Sequence, residues 1–255
     1  PFDETFGTTA ADLAAGNTGT HFGSPLALPG EVAGALSFDG INDYVEAPST
    51  MNINFGPANT PAQCAIPLGG YYSSCLGDFS IDVWVNLPPN TPNNVVKVIV
   101  DKRGQSPLQG YSFFLGQNGR LGLQLASNNA FTNYSSSSSN PSVPYDGNWH
   151  HIAVTVDRRV GAFGVIKWYV DGSPLTVSAS TTVFGSLVNN SPLRIGTRTA
   201  ASPLSGWFFG DMDELEIFNR VLTNNEVRDI FLASTLGKCK PVPPPPPCGG
   251  NPSTC

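Results

Sequence analysis

Asp39, Asn42 and Asp43 crowd into one short hinge of the run Ala35-Leu-Ser-Phe-Asp-Gly-Ile-Asn-Asp-Tyr-Val45. The pairs Asp39-Gly40 and Asn42-Asp43 demand a tight turn or bulge. Side-chain oxygens at such spacing are hard ligands of the kind calcium collects, about six to eight at roughly 2.3–2.6 Å. The competing reading is that Asp39 and Asp43 accept hydrogen bonds from their own turn. His150 and His151 are consecutive on an alternating segment, so their side chains leave opposite faces and cannot chelate one ion. They read as structural, one of them packed beside Trp149.

Five cysteines, at 64, 75, 239, 248 and 255, show no Cys-x-x-Cys spacing, and the three histidines lie elsewhere. Disulfides are the expectation. A bridge between Cys64 and Cys75 would restrain the unfolded chain by roughly 3 kcal/mol on the loop-entropy model. Of Cys239, Cys248 and Cys255, two can pair and one is left for an intermolecular bond or remains a free thiol. Two triplets, Asn133-Tyr-Ser135 and Asn189-Asn-Ser191, are glycosylation acceptors in polar segments expected to be loops. Among the aromatic residues most are expected in the core, while Tyr71, Tyr72 and Tyr134 are placed in loops as the surface rings best suited to stack on a sugar.

These groups need a scaffold, and the composition specifies its type. The chain has 255 residues, 40% hydrophobic and only 13% charged, with 27 Gly and 23 Pro among many Ser, Thr and Asn, which suits many short strands joined by turns. A net charge of −6, with no basic run longer than Arg158-Arg159, leaves nothing to neutralise a phosphate backbone and argues against nucleic acid and acidic membranes. No stretch approaches the roughly eighteen apolar residues of a spanning helix, so membrane insertion is not expected. A secreted or cell-surface location follows from the cysteines, with any signal already removed.

The elements follow from periodicity. Phe79-Ser-Ile-Asp-Val-Trp-Val85 alternates, setting Phe79, Ile81, Val83 and Val85 on one face and Ser80, Asp82 and Trp84 on the other. Gln117-Asn-Gly119 and Asp171-Gly172 each predict a hairpin turn. About a dozen strands are expected, enough for two stacked sheets. One short helix follows Thr223, where Thr223 and Glu226 form a capping box and Leu222 staples onto Val227. The expected domain is residues 1–236. Beyond it, residues 237–255 form a Pro/Cys-rich tail whose prolines, 241–247, favour extended polyproline II apart from Val242.

The hinge segment, Asp146-Gly-Asn-Trp-His-His-Ile-Ala-Val-Thr-Val-Asp157 and Gly210-Asp-Met-Asp-Glu-Leu-Glu-Ile-Phe-Asn-Arg220, in this order, resemble the laminin-G-like jelly roll of the concanavalin A-like superfamily. Phe2-Asp-Glu, Ala10-Ala-Asp12 and Asn219-Arg-Val-Leu-Thr223 extend the resemblance over residues 2–236. It implies an all-β, two-sheet antiparallel jelly-roll sandwich with one short C-terminal helix and a polyproline tail. It also brings Asp211 and Asp213 close to the Asp39–Asp43 hinge, so that Asp39, Asn42, Asp43, Asp211 and Asp213 form the expected structural calcium set. Family members usually begin their first strand before the segment equivalent to Pro1-Phe-Asp-Glu4. A missing half-strand would leave an apolar groove for a strand of another chain.

The segment Asp211-Met-Asp213-Glu-Leu-Glu216 is similar to the Glu-x-Asp-x-x-Glu strand of laminarinase-type hydrolases. Its first acid is one methylene shorter, which works against a retaining mechanism needing carboxyls about 5–5.5 Å apart. The leading expectation is therefore a non-catalytic structural or adhesive subunit of an extracellular assembly, partnered by itself or by another surface protein. A calcium-dependent carbohydrate-binding module is the alternative, and a glycoside hydrolase the third.

Overall fold

Residue alternation builds the strands, and the apolar halves of those strands meet as the core. The computed structural model describes residues 2–4, 7–57, 77–136, 142–159, 164–198 and 205–236. The five cysteines, Tyr71, Tyr72 and the 237–255 tail lie outside the described residues, as does the start of the first segment, Pro1. The strands are β1 (Thr9–Ala10), β2 (Gly19–Phe22), β3 (Leu26–Pro29), β4 (Gly34–Asp39), β5 (Tyr44–Ala47), β6 (Phe79–Asn86), β7 (Lys97–Gln105) and β8 (Leu108–Leu115). They continue as β9 (Leu121–Ser127), β10 (Ala130–Ser135), β11 (Trp149–Val156), β12 (Val165–Val170), β13 (Ser173–Ser180), β14 (Leu193–Ile195) and β15 (Phe209–Phe218). One helix, α1 (Asn224–Ala233), closes the fold.

The strands form an eight-stranded sheet in the order β1-β2-β5-β14-β7-β8-β9-β10 and a seven-stranded sheet in the order β13-β12-β11-β6-β15-β4-β3. Every pairing is antiparallel, which gives the expected jelly-roll sandwich. Phe79, Ile81, Val83 and Val85 of β6 point inward to meet Val100, Tyr111, Phe113 and Leu123 of the opposite sheet in one core. Phe55, Phe79 and Tyr111 pack ring to ring there, with centroids 4.4–5.2 Å apart.

The outer face of β6 is buried as well, because α1 lies across the seven-stranded sheet. Trp84 stacks on Phe231 at 5.7 Å, and Ala153, Tyr169, Leu222 and Val227 form a second apolar cluster beneath the helix. His151 packs in this layer, 5.3 Å from Trp84, its cross-strand partner. The helix start is as read. The Thr223 hydroxyl accepts from Glu226 N at 3.2 Å, and the Glu226 carboxylate accepts from Thr223 N at 2.8 Å.

The hairpin readings also hold. Asn118 and Gly119 connect β8 to β9, and Asp171 (φ +49°) with Gly172 (φ +71°) connects β12 to β13 through paired left-handed residues. Two strand assignments differ from the sequence reading. The strand read from the apolar run Val95–Val100 is β7, which begins at Lys97 and runs on through the polar Asp-Lys-Arg-Gly-Gln, and β10 carries Asn133 and Tyr134 in regular register with Gln124 and Leu123 rather than in a loop.

Candidate functional site

Strand β15 positions the acids that the sequence singles out. Its outward residues Asp211 and Asp213 lie opposite Ser37 of β4 and Trp84 of β6. A bulge at Glu214, held at φ +48°, then shifts the register before Glu216 pairs with Asp82. The bulge turns the Glu214 carboxylate back toward Asp213, where both meet Asp3 of the N-terminal segment. One carboxylate oxygen from each of Asp3, Asp213 and Glu214 lies within 4.8 Å of the others.

Asp213 is wholly buried. Its Oδ2 accepts from Val32 N at 2.7 Å, and its Oδ1 is buried with no hydrogen-bond partner among the described residues. Burial pushes its carboxyl up to about 7, with the neighbouring charges of Glu214 and Asp3 adding to the effect. An orphaned buried oxygen beside two further carboxylates is the chemical environment of a hard divalent cation.

The expected calcium set does not assemble. Asp39 Oδ1 accepts from Ile41 N and Asn42 N at 2.8 and 3.2 Å, and Asp43 Oδ2 accepts from Asp39 N at 3.0 Å, so both carboxylates cap their own turn. Asn42 is exposed on that hinge. Asp39 faces Phe209, at the far end of the β4–β15 ladder from the acid cluster. Asp211 stays on the ladder opposite Ser37, so of the five expected ligands only Asp213 reaches the cluster. Asp3 and Glu214 are the members of this cluster that the sequence reading missed, because one depends on where the N-terminal segment docks and the other on a bulge.

A second constellation lies on the outer face of the eight-stranded sheet. Val45 and Ala47 of β5 point into the core, which turns Tyr44 and Glu46 outward. Phe22, paired with Tyr44 in the β2–β5 ladder, stacks on it at 4.7 Å with planes 7° apart, and Trp207 closes the other side at 6.2 Å. The Arg194 guanidinium sits 5.2 Å from the Tyr44 ring centre while its Nε donates to Glu46 Oε2 at 2.8 Å. Phe22 is 40% exposed, and Tyr44 and Trp207 are half-buried, so the shelf presents ring surface to solvent.

A charge-balanced polar row continues from this shelf across the sheet. Arg194 is the cross-strand partner of Asp101, which binds Arg103, and Arg103 reaches Gln124, whose Nε2 donates to Asn133 Oδ1 at 2.6 Å. Sequence reading placed the surface ring at Tyr134 instead. The structure buries Tyr134 to 6% exposure, with its hydroxyl accepting from Thr182 N at 2.9 Å, because its position on β10 turns it toward the core. The signal that could have found the shelf is the alternation Tyr44-Val-Glu-Ala47, which sets one ring and one acid outward.

Asn189, read as a glycan acceptor, is a structural residue. Its Nδ2 donates to the carbonyls of Lys102, Gln109 and Leu187 at 2.8–3.1 Å, and its Oδ1 accepts from Lys102 Nζ and Ser191 N at 3.0 and 2.9 Å. Burial pushes Lys102 down to about 8, and the Asn189 and Asn54 oxygens stand in for its lost water. Expression in a glycosylating host should therefore leave Asn189 unmodified by peptide mass mapping. Asn189→Ala should lower the urea-unfolding free energy by about 2–4 kcal/mol, since several buried partners lose their hydrogen bonds together. Asn133 is exposed, although on a strand.

The two-sheet fold defines the class as a concanavalin A-like jelly-roll module. Residues 39–228 match the laminin-G-like family described as the concanavalin A-like lectin/glucanases superfamily, and the chain belongs to that family. The chain is similar in fold to the botulinum neurotoxin serotype G binding domain, with a TM-score of 0.61 at 17% identity, covering 86% of this chain and 47% of that one. It is also similar to the serotype D/C VPI 5993 binding domain, with a TM-score of 0.57 at 14% identity over 86% and 48% of the two chains. The chain thus spans about half the length of these structures. No curated protein matches its sequence. No helix among the described residues is long and apolar enough to cross a membrane.

Proposed function

We propose that this chain is a non-catalytic, extracellular carbohydrate-binding module that serves adhesion, recognising a neutral glycan on the Phe22–Tyr44–Trp207 shelf and steadied by calcium at Asp3, Asp213 and Glu214. The observation that carries the reading is the shelf itself. Stacked, partly exposed rings offer an apolar face for the C–H face of a pyranose, and the Arg194–Glu46 pair beside them offers donors and acceptors to its hydroxyls. Arg194 is matched by Glu46 and Arg103 by Asp101, so neither arginine is left unpaired to favour an ionic sugar.

One observation supports binding rather than cleavage. Asp213, the middle acid of the hydrolase-like strand, is wholly buried and held by Val32 N, out of reach of a glycosidic oxygen. Calcium, when bound, would supply the positive charge that three clustered carboxylates lack, and would fasten the N-terminal segment to β15. The assembly reading depends on the first strand and the cysteine tail, whose key residues lie outside the described ones.

Affinity electrophoresis in gels carrying neutral polysaccharides tests the proposal. Migration should be retarded by at least one of them, and Tyr44→Ala or Trp207→Ala should weaken that binding at least tenfold with the thermal midpoint nearly unchanged. Tyr44→Phe should retain most of it. Binding by the wild type that survives loss of both rings would place the glycan elsewhere, and no retardation by any neutral glycan would end the reading.

A further inference from the structure

The sandwich is not filled from end to end. Between the sheets lies a cavity of about 500 Å³ whose floor is built by Val45 and Ala47 of β5, Leu193 and Ile195 of β14, and Leu215 and Ile217 of β15. Elsewhere the same interlayer space is occupied by rings such as Phe55, Phe79 and Tyr111. At this end the wall is supplied by Ala10, Ala11, Ala14 and Ala15, and Gly19 lets β2 approach Val45 where a methyl group would meet it at 2.5 Å.

The cavity opens to solvent, and its aliphatic floor gives water held there nothing to bond. Its volume is that of a small-molecule site. The wall is also fixed in advance. Asp12 accepts from Ala14 N, Ala15 N and Asn17 N at 2.9–3.1 Å, Glu4 accepts from Ala11 N at 2.6 Å, and Asn17 accepts from the Thr50 hydroxyl at 2.5 Å. Exposed Leu13, Ala14, Ala15 and Asn52 form the rim.

We infer that this cavity is a binding site for a linear alkyl chain carrying a cationic or neutral head group. Stacked sheets stand only about 10 Å apart, which leaves a slot one hydrocarbon chain thick rather than a pocket for a fused ring system. Charge selects the head. The ionisable side chains among the described lining residues are Asp12, Glu214 and Glu216, all acids, with no Lys, Arg or His beside them. A carboxylate or sulfate head would be repelled, and an ammonium head would be attracted. The site is separate from the outer-face shelf, so it stands whether or not the glycan reading does, but it shares Glu214 with the proposed calcium cluster and its charge preference is read without calcium.

The test is displacement of the neutral, rod-shaped fluorophore diphenylhexatriene from the intact chain at neutral pH in calcium-free buffer. Saturable binding is expected, with decylammonium displacing the probe at least tenfold more effectively than decanoate. Ala47→Leu, which fills the floor, should weaken probe binding at least tenfold. Leu193→Ala, which deepens it, should move the best competitor to a longer alkyl chain, so the two variants check each other if one folds poorly. Absence of saturable binding, equal displacement by decanoate, or unchanged affinity in folded Ala47→Leu would overturn the inference. So would stronger displacement by an apolar extended peptide than by decylammonium, since that would make the slot a strand acceptor.

Discussion

Arg158→Met is expected to lower the unfolding free energy by about 3–5 kcal/mol, while the same change at the adjacent Arg159 costs under about 1 kcal/mol. The sequence gives no reason to separate them. In the structure the Arg158 side chain is fully buried, and its guanidinium donates to the carbonyls of Gly56 at 2.7 Å, Gly77 at 3.4 Å and Val183 at 3.1 Å, and to Gly185. Its backbone N–H holds Asp78 Oδ1 at 2.7 Å. Burial lowers the guanidinium to about 10 and raises Asp78 to about 6, so Arg158 stays charged at neutral pH and its positive charge offsets a buried acid.

Removing Arg158 would leave four carbonyls and Asp78 without their cation, a loss far larger than that of a surface pair. Arg159 pairs with Asp157 two residues away, at partial exposure. Urea denaturation of the two variants measures the contrast directly. Equal midpoints would show that Arg158 does not tie residues 56, 77 and 183–185 together.

The second large effect concerns Asp213 and pH. In calcium-free buffer, stability should fall as pH rises from about 4 to 7. A carboxyl at 3.8 in the unfolded chain and about 7 in the folded one binds more protons when folded, so its contribution is full below 4 and is lost as pH passes 7. The shift corresponds to roughly 4 kcal/mol. The neighbouring charges of Glu214 and Asp3 add to the shift of Asp213.

Calcium should reverse that loss at pH 7.5 and do little at pH 4.5, where the buried acid is protonated and cannot serve as a ligand. At a hundredfold excess over its Kd it would add about 2.7 kcal/mol. Asp213→Asn should flatten the pH profile and abolish the calcium-induced rise in Tm, and scanning calorimetry in calcium and in chelator reads both. A calcium shift that persists in Asp213→Asn would move the site away from β15.

Periodicity was enough to read the two sheets, the capped helix and the hairpins, because each depends on residues two to four apart. Alternation put Phe79, Ile81, Val83 and Val85 on one face, and the structure places all four in the core. The same logic failed for β10, where Tyr134 looked like a loop residue because Ser and Asn surround it, although its partner strand β9 fixes it inward. It failed again for Asn189, whose acceptor triplet carries no mark of the three carbonyls that converge on it from residues 102, 109 and 187.

By itself, the sequence determined the class of fold and the acidic character of β15, since short-range spacing of apolar, turn and charged residues is written directly into the chain. Only the tertiary structure decided which acids meet. Asp3 reaches Asp213 across more than two hundred residues, and Glu214 joins them through a bulge at positive φ that no spacing rule reveals. The aromatic shelf has the same origin, with Phe22, Tyr44 and Trp207 drawn from three distant segments. Chemistry of that kind depends on which strands become neighbours, and a jelly roll makes neighbours of strands remote in the chain.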